Sequence, residues 1–158
     1  MKYDKIVPEI MVDLGENTVY EESTAVYPKI IHLHMNLENW WGDDLLTSFP
    51  EYMATDALKE ALEISEFTGF SFHDMEITHD VYFDYNYQLG RPLPKFWWMK
   101  ITGQAGKDDL YIYKGDLFIS EPLLNFIKQN FSTNNLDINP VRDQFDDIID
   151  EMIAKRKS

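Results

Sequence analysis

His32 and His34 stand two residues apart in the run 29–35. On a strand that spacing puts both imidazoles on one face, where they could share a metal ion. A third ligand would have to come from His73, His79 or an acid, and no motif fixes one. Without it the pair is the polar side of a strand, and no metal site is assigned.

Acid pairs are numerous: Asp43–Asp44, Asp108–Asp109 and Asp146–Asp147. Glycosidase chemistry needs two carboxylates facing each other across a cleft, and adjacent acids do not point that way. Ser120 falls where a strand should meet a helix, the position of a nucleophile elbow. It lacks the flanking glycines of G-x-S-x-G, having Phe118 and Pro122 instead. Its expected work is to cap the helix. No phosphate-cradling glycine motif and no calcium loop occurs. No catalytic residue and no cofactor is therefore assigned.

Aromatic anchors beside charge offer a different chemistry, the recognition of another protein. Trp40 and Trp41 lie next to Asp43 and Asp44. Asp143, Asp146, Asp147, Asp150 and Glu151 line one side of the segment 141–158, whose other side carries Phe145, Ile148, Ile149, Met152 and Ile153. That spacing predicts an amphipathic helix ending in Lys155, Arg156 and Lys157. These nine aromatic and acidic residues are the candidate partner contacts.

Composition bounds the partner. The chain has 158 residues, 28 acids against 14 Lys and Arg, a formal charge of −14, and no cysteine. Such a surface repels nucleic acid and anionic membranes and speeds association with a basic protein. The length suits one domain over 1–158, without disulfides or thiolate metal sites. Residues 1–16 carry acids early and no apolar run, so no signal peptide is expected. No run approaches the ~20 apolar residues of a membrane span. A cytoplasmic protein is the expectation.

The elements that must position these groups centre on 114–141. Leu117, Phe118 and Ile119 read as a strand. Ser120 is placed to cap a helix, with Glu121 and Pro122 in its first turn. Leu123, Leu124, Ile127 and Phe131 give that helix an apolar face. Leu136 and Ile138 then alternate as a half-buried strand closed by Pro140. An earlier copy is fainter: Thr55 caps a helix through Leu58 and Leu62, Gly69 stands near its end, and Phe70 to Ile77 follow as a strand. The two would form a degenerate helix–strand repeat.

Around them, strands are expected near 6–11, over 29–35, 95–102 and 110–113, and through the aromatic alternation 81–88. Residues 17–24 read as loop and 37–50 as irregular structure or a short helical turn. The fold class is α+β, a mostly antiparallel sheet with two to three packed helices.

The second half resembles a family of small immunity proteins from bacterial polymorphic-toxin systems of the contact-dependent-inhibition kind. The residues that carry the likeness are Thr68-Gly69-Phe70-Ser71-Phe72, Leu93-Pro94, Phe96-Trp97, Asp116-Leu117-Phe118, Ser120-Glu121, Leu123-Leu124 and Pro140-Val141. They span roughly 55–141 and mark caps and core positions. The resemblance implies a non-catalytic protein that binds and neutralises one cognate toxin, often a basic nuclease. It transfers no contact residues. Two other readings stay open: an enzyme or ligand binder using the aromatic strands with His32 and His34, and a module that self-associates through exposed aromatics.

Overall fold

The computed structural model describes residues 1–25 and 28–140. Among them the chain is α+β, with mostly antiparallel sheets and three helices. Its strands are β1 (Tyr3–Val7), β2 (Val12–Leu14), β3 (Val19–Tyr20), β4 (Ile30–His32), β5 (His34–Leu37), β6 (Leu45–Ser48) and β7 (Glu51–Thr55). After helix α1 (Asp56–Glu63) come β8 (Phe70–His73), β9 (Glu76–His79), the one-turn helix α2 (Phe83–Asn86) and β10 (Phe96–Ile101). β11 (Leu110–Tyr113), β12 (Asp116–Ser120), helix α3 (Glu121–Asn130) and β13 (Asp137–Ile138) complete the order.

Two four-stranded sheets share one plan. Sheet A runs β11-β12-β1-β13 and sheet B runs β6-β7-β10-β8. In each, a hairpin leads into a capped helix, and a strand from elsewhere in the chain fills the centre. Ser120 caps α3 by accepting from the Leu123 N–H, and Thr55 caps α1 by accepting from the Leu58 N–H. Tyr3 sits opposite Ser120 in β1, as Phe96 sits opposite Thr55 in β10. The Glu121 N–H donates to the Lys2 carbonyl at 3.0 Å, as the Asp56 N–H donates to the Lys95 carbonyl at 2.8 Å.

The degenerate repeat expected from sequence is therefore larger than a helix and a strand. The first unit is β1, β6, β7, α1, β8. The second is β10, β11, β12, α3, β13. Each gives its leading strand to the middle of the other's sheet, so neither sheet is complete without both.

The shared core lies between these sheets and their helices. Equivalent positions supply it in pairs: Ile6 and Met99, Leu45 and Leu110, Tyr52 and Leu117, Ala54 and Ile119, Leu58 and Leu123, Leu62 and Ile127. The long stretch between β1 and β6, with β9 and α2, adds a second layer. There β2-β5-β9 form a small sheet in which β5 and β9 run parallel. Leu33, Met35, Leu37, Trp40 and Phe83 pack with Leu46, Met53, Phe96 and Trp98 of sheet B.

Several local expectations change. The strand over 29–35 divides between β4 and β5, which belong to different sheets. Its alternation fails because Ile31 is 63% exposed while Leu33, His34 and Met35 are all buried. The strand from Phe70 to Ile77 likewise breaks into β8 and β9. Residues 81–88 contain α2, leaving Val81, Tyr82 and Tyr85 exposed, where a strand was expected. Residues 17–24 contain β3, and 37–50 contain β6. Gly69 does not end α1, whose cap is Ile64. Its φ of +105° and lack of a Cβ let the chain pass against the Leu110 backbone. The helix expected over 141–158 falls outside the described residues.

Candidate interaction surface

His32 and His34 each have partners within the fold, and His34 also borders a concavity of about 300 Å³ with Gly15, Asn36 and Thr78. The Asn17 N–H donates to His34 Nδ1 at 3.1 Å, so Nδ1 carries no proton. The proton on Nε2 then goes to Thr78 Oγ1 at 2.7 Å, and Thr78 donates to Asn36 Oδ1. Buried His34 thus has both ring nitrogens engaged within the fold, with the Glu76 carboxylate 3.8 Å from Nε2. Exposed His32 meets the Glu76 carboxylate at 3.0 Å. That contact, with the Asn17 amide, holds the Glu76 carboxyl below its ordinary value. His73 pairs with Ser71, and His79 stacks on Phe83. Among the described residues no group of three His, Asp or Glu side chains could hold a metal ion.

Ser120 is fully buried and donates to Asp109 Oδ1 at 2.7 Å while capping α3. A hydroxyl so placed reaches no substrate. Thr55 does the same with Asp44 Oδ1 at 2.6 Å.

The candidate contacts near Trp40 separate into interior and surface groups. Trp40 is 4% exposed, edge-on to Phe96, with its indole N–H on the Asp43 carbonyl. Asp43 is buried and accepts the Asn135 backbone and side-chain N–H groups. Asp44 accepts the Ser132 N–H at 2.8 Å. Glu9 lies beneath this loop, accepting the Trp41 and Asp43 N–H groups at 3.0 and 3.1 Å. Burial pushes its carboxyl up to about 7 against the lowering effect of those two N–H groups. The structure gives Trp40, Asp43 and Asp44 internal contacts and leaves Trp41 46% exposed. Asp143, Asp146, Asp147, Asp150 and Glu151 lie outside the described residues.

A wider surface lies where the two hairpin tips meet. One tip holds the cis Phe49–Pro50 peptide. The other is Lys114–Gly115, both with positive φ, as a tight two-residue hairpin turn requires. Three adjoining concavities run across them. The first, about 400 Å³, is lined by Ile10, Asp13, Thr47, Phe49 and Asp116 among others. The second, about 660 Å³, lies over Phe49, Pro50, Ile112 and Gly115. The third, about 360 Å³, is bounded by Glu51, Tyr52, Trp98, Lys100 and Ile112. Ile10 is 58% exposed and Phe49 56%. Residues at matching positions of the two units line the outer concavities, so the groove follows the internal symmetry.

Asp13 joins this groove to a group of acids. The Glu38 carboxyl is raised first by its hydrogen bond to Asp13, then by the Asp13 charge, burial and the Asp80 charge. Asp13 is exposed on β2, exposed Glu38 follows β5, and Asp80 follows β9. Among the described residues no Lys or Arg forms an ion pair with any of the three. Like charges so close repel each other and favour an incoming cation. Sequence spacing carried no sign of this group, because its members come from three separate elements.

The chain matches no family model, and neither the curated proteins nor the solved structures give a match.

Proposed function

We propose that the chain is a non-catalytic binding protein that captures a basic toxin domain and blocks its active site or substrate groove. One observation carries the reading. At Asp13 an exposed groove with Ile10 and Phe49 on its wall meets carboxylates that form no ion pair with a Lys or Arg among the described residues. Apolar anchors surrounded by unpaired charge suit a protein partner of opposite sign. The formal charge of −14 would draw such a partner from a distance. The family resemblance over 55–141 supports a cognate toxin as the partner class.

The test is co-expression with the C-terminal domain of the adjacent large open reading frame, followed by co-purification at low and high salt. A one-to-one complex that restores growth supports the reading, and loss of association rate at high salt assigns the acids their part. Growth arrest unrelieved by this chain, with no complex at either salt concentration, rejects it.

A further inference from the structure

The internal symmetry exposes a difference between two equivalent strand edges. In β6 the antiparallel pairing with β7 turns the Thr47 N–H outward. The chain fills that position itself: Glu9 lies parallel to Leu46 and its carbonyl accepts the Thr47 N–H at 2.9 Å. The matching residue of the second unit is Ile112 in β11, opposite Leu117 as Thr47 is opposite Tyr52. Its N–H and carbonyl also face away from β12.

Among the described residues none accepts the Ile112 N–H, and Lys29 and Ile30 line the concavity beside it. The second unit turns off at Thr102, whose N–H bonds the Gly69 carbonyl. The place taken by Glu9 in the first unit is the 360 Å³ concavity beside Ile112 in the second. Ile112 is 41% exposed and Tyr113 58%. An open edge beside a groove lined by both apolar and charged side chains, Ile30 and Ile112 with Lys29, Glu51 and Lys100, can accept a strand.

We infer that the edge of β11 at Ile112 takes an extended segment of the partner, added parallel to β11, with an apolar side chain against Ile112 in the groove that Lys29, Glu51 and Lys100 also line. The chain's own segment at Glu9 on β6 is the template for the occupant: extended backbone, parallel direction and apolar flanks in Pro8 and Ile10. This rests on the binding role proposed above and specifies where and how the partner is held.

Amide exchange at Ile112, read by NMR on the full chain, tests it. In the complex with the toxin domain, the Ile112 amide should exchange at least ~10-fold more slowly than in the free chain, as a ladder hydrogen bond requires. A complex that leaves this amide exchanging as before overturns the inference while the binding role stands. If no complex forms the binding role fails, and the edge is probed with a synthetic peptide of sequence VPEIMV, copying residues 7–12. Shifts centred on Ile112 at millimolar peptide sustain the inference, and their absence overturns it. Ile112→Pro removes the outward N–H without removing a β12 hydrogen bond. It should keep the parent melting temperature within a few degrees and abolish either effect, and unchanged binding by this variant overturns the proposal.

Discussion

Asp44 and Asp109 hold equivalent positions in the two units, and each ties its own unit to the other. Each accepts the hydroxyl of the helix cap eleven residues on, Thr55 or Ser120, through Oδ1. Through Oδ2 each also accepts a backbone N–H from the loop beyond the other unit's helix: Ser132 for Asp44 and Thr68 for Asp109, at 2.8 and 2.9 Å. The exchange of central strands is thus matched by an exchange of loop anchors. Asn in either place would turn an NH2 toward a donor, and each of Asp44→Asn and Asp109→Asn should cost about 1–3 kcal/mol. Urea denaturation of the two single variants and the double variant checks this. The networks share no partner, so the two losses should nearly add.

Ser120→Ala separates a cap from a nucleophile. The substitution removes the acceptor for the Leu123 N–H and the donor to Asp109. Stability should fall by about 1–2 kcal/mol. Partner binding by the folded variant should stay at the parent level, measured by calorimetry well below the melting temperature.

What the sequence made legible was local. Thr55 and Ser120 announce their helices because a cap acts within one turn, and β10 to β12 follow from apolar runs bounded by glycine turns. The exchange of β1 and β10 left no such mark, since nothing near Tyr3 or Phe96 encodes which hairpin it will join. Leu33, His34 and Met35 are buried in succession because β5 is covered on both faces, which removes the period-two signal. At α2 a single helical turn is too short to show its own period against alternating aromatics. Nothing in the sequence told Trp40 from Trp41, of which the first serves the core and the second is exposed. Ile10, Phe49 and Glu38 were missed because they become neighbours of the groove and of Asp13 only after three sheets assemble.

Glu9 gives the fold a definite response to pH. Its carboxyl has an ordinary value of 4.5, and burial raises it to about 7 in the folded chain. Between those values the folded state holds a proton that the unfolded state has lost. The stability this provides is complete below pH 4.5 and is lost as pH rises through 7. The loss is on the order of 3 kcal/mol. Burial also raises Asp43 and Glu51, which act in the same direction. Urea midpoints at pH 5 and pH 8 should therefore drop in the parent chain and drop less in Glu9→Gln. Equal drops in the two proteins would remove Glu9 from the account.

Glu38 sets stability against binding. In the free chain its carboxyl is held next to Asp13 and near Asp80, with no Lys or Arg paired to it among the described residues. Glu38→Gln removes one of the like charges and keeps a side chain of the same shape. The free variant should melt at the same temperature as the parent or slightly higher, because an exposed repulsion of this kind is worth little in water. Binding to the basic partner should weaken, mainly through slower association at low salt, and the difference should shrink as salt screens the field. Stopped-flow association at two ionic strengths measures both effects. Asp116, on the far side of the same groove, supplies the comparison. If Asp116→Asn slows association and Glu38→Gln does not, the partner's positive charge meets the hairpin tips instead of the acids around Asp13.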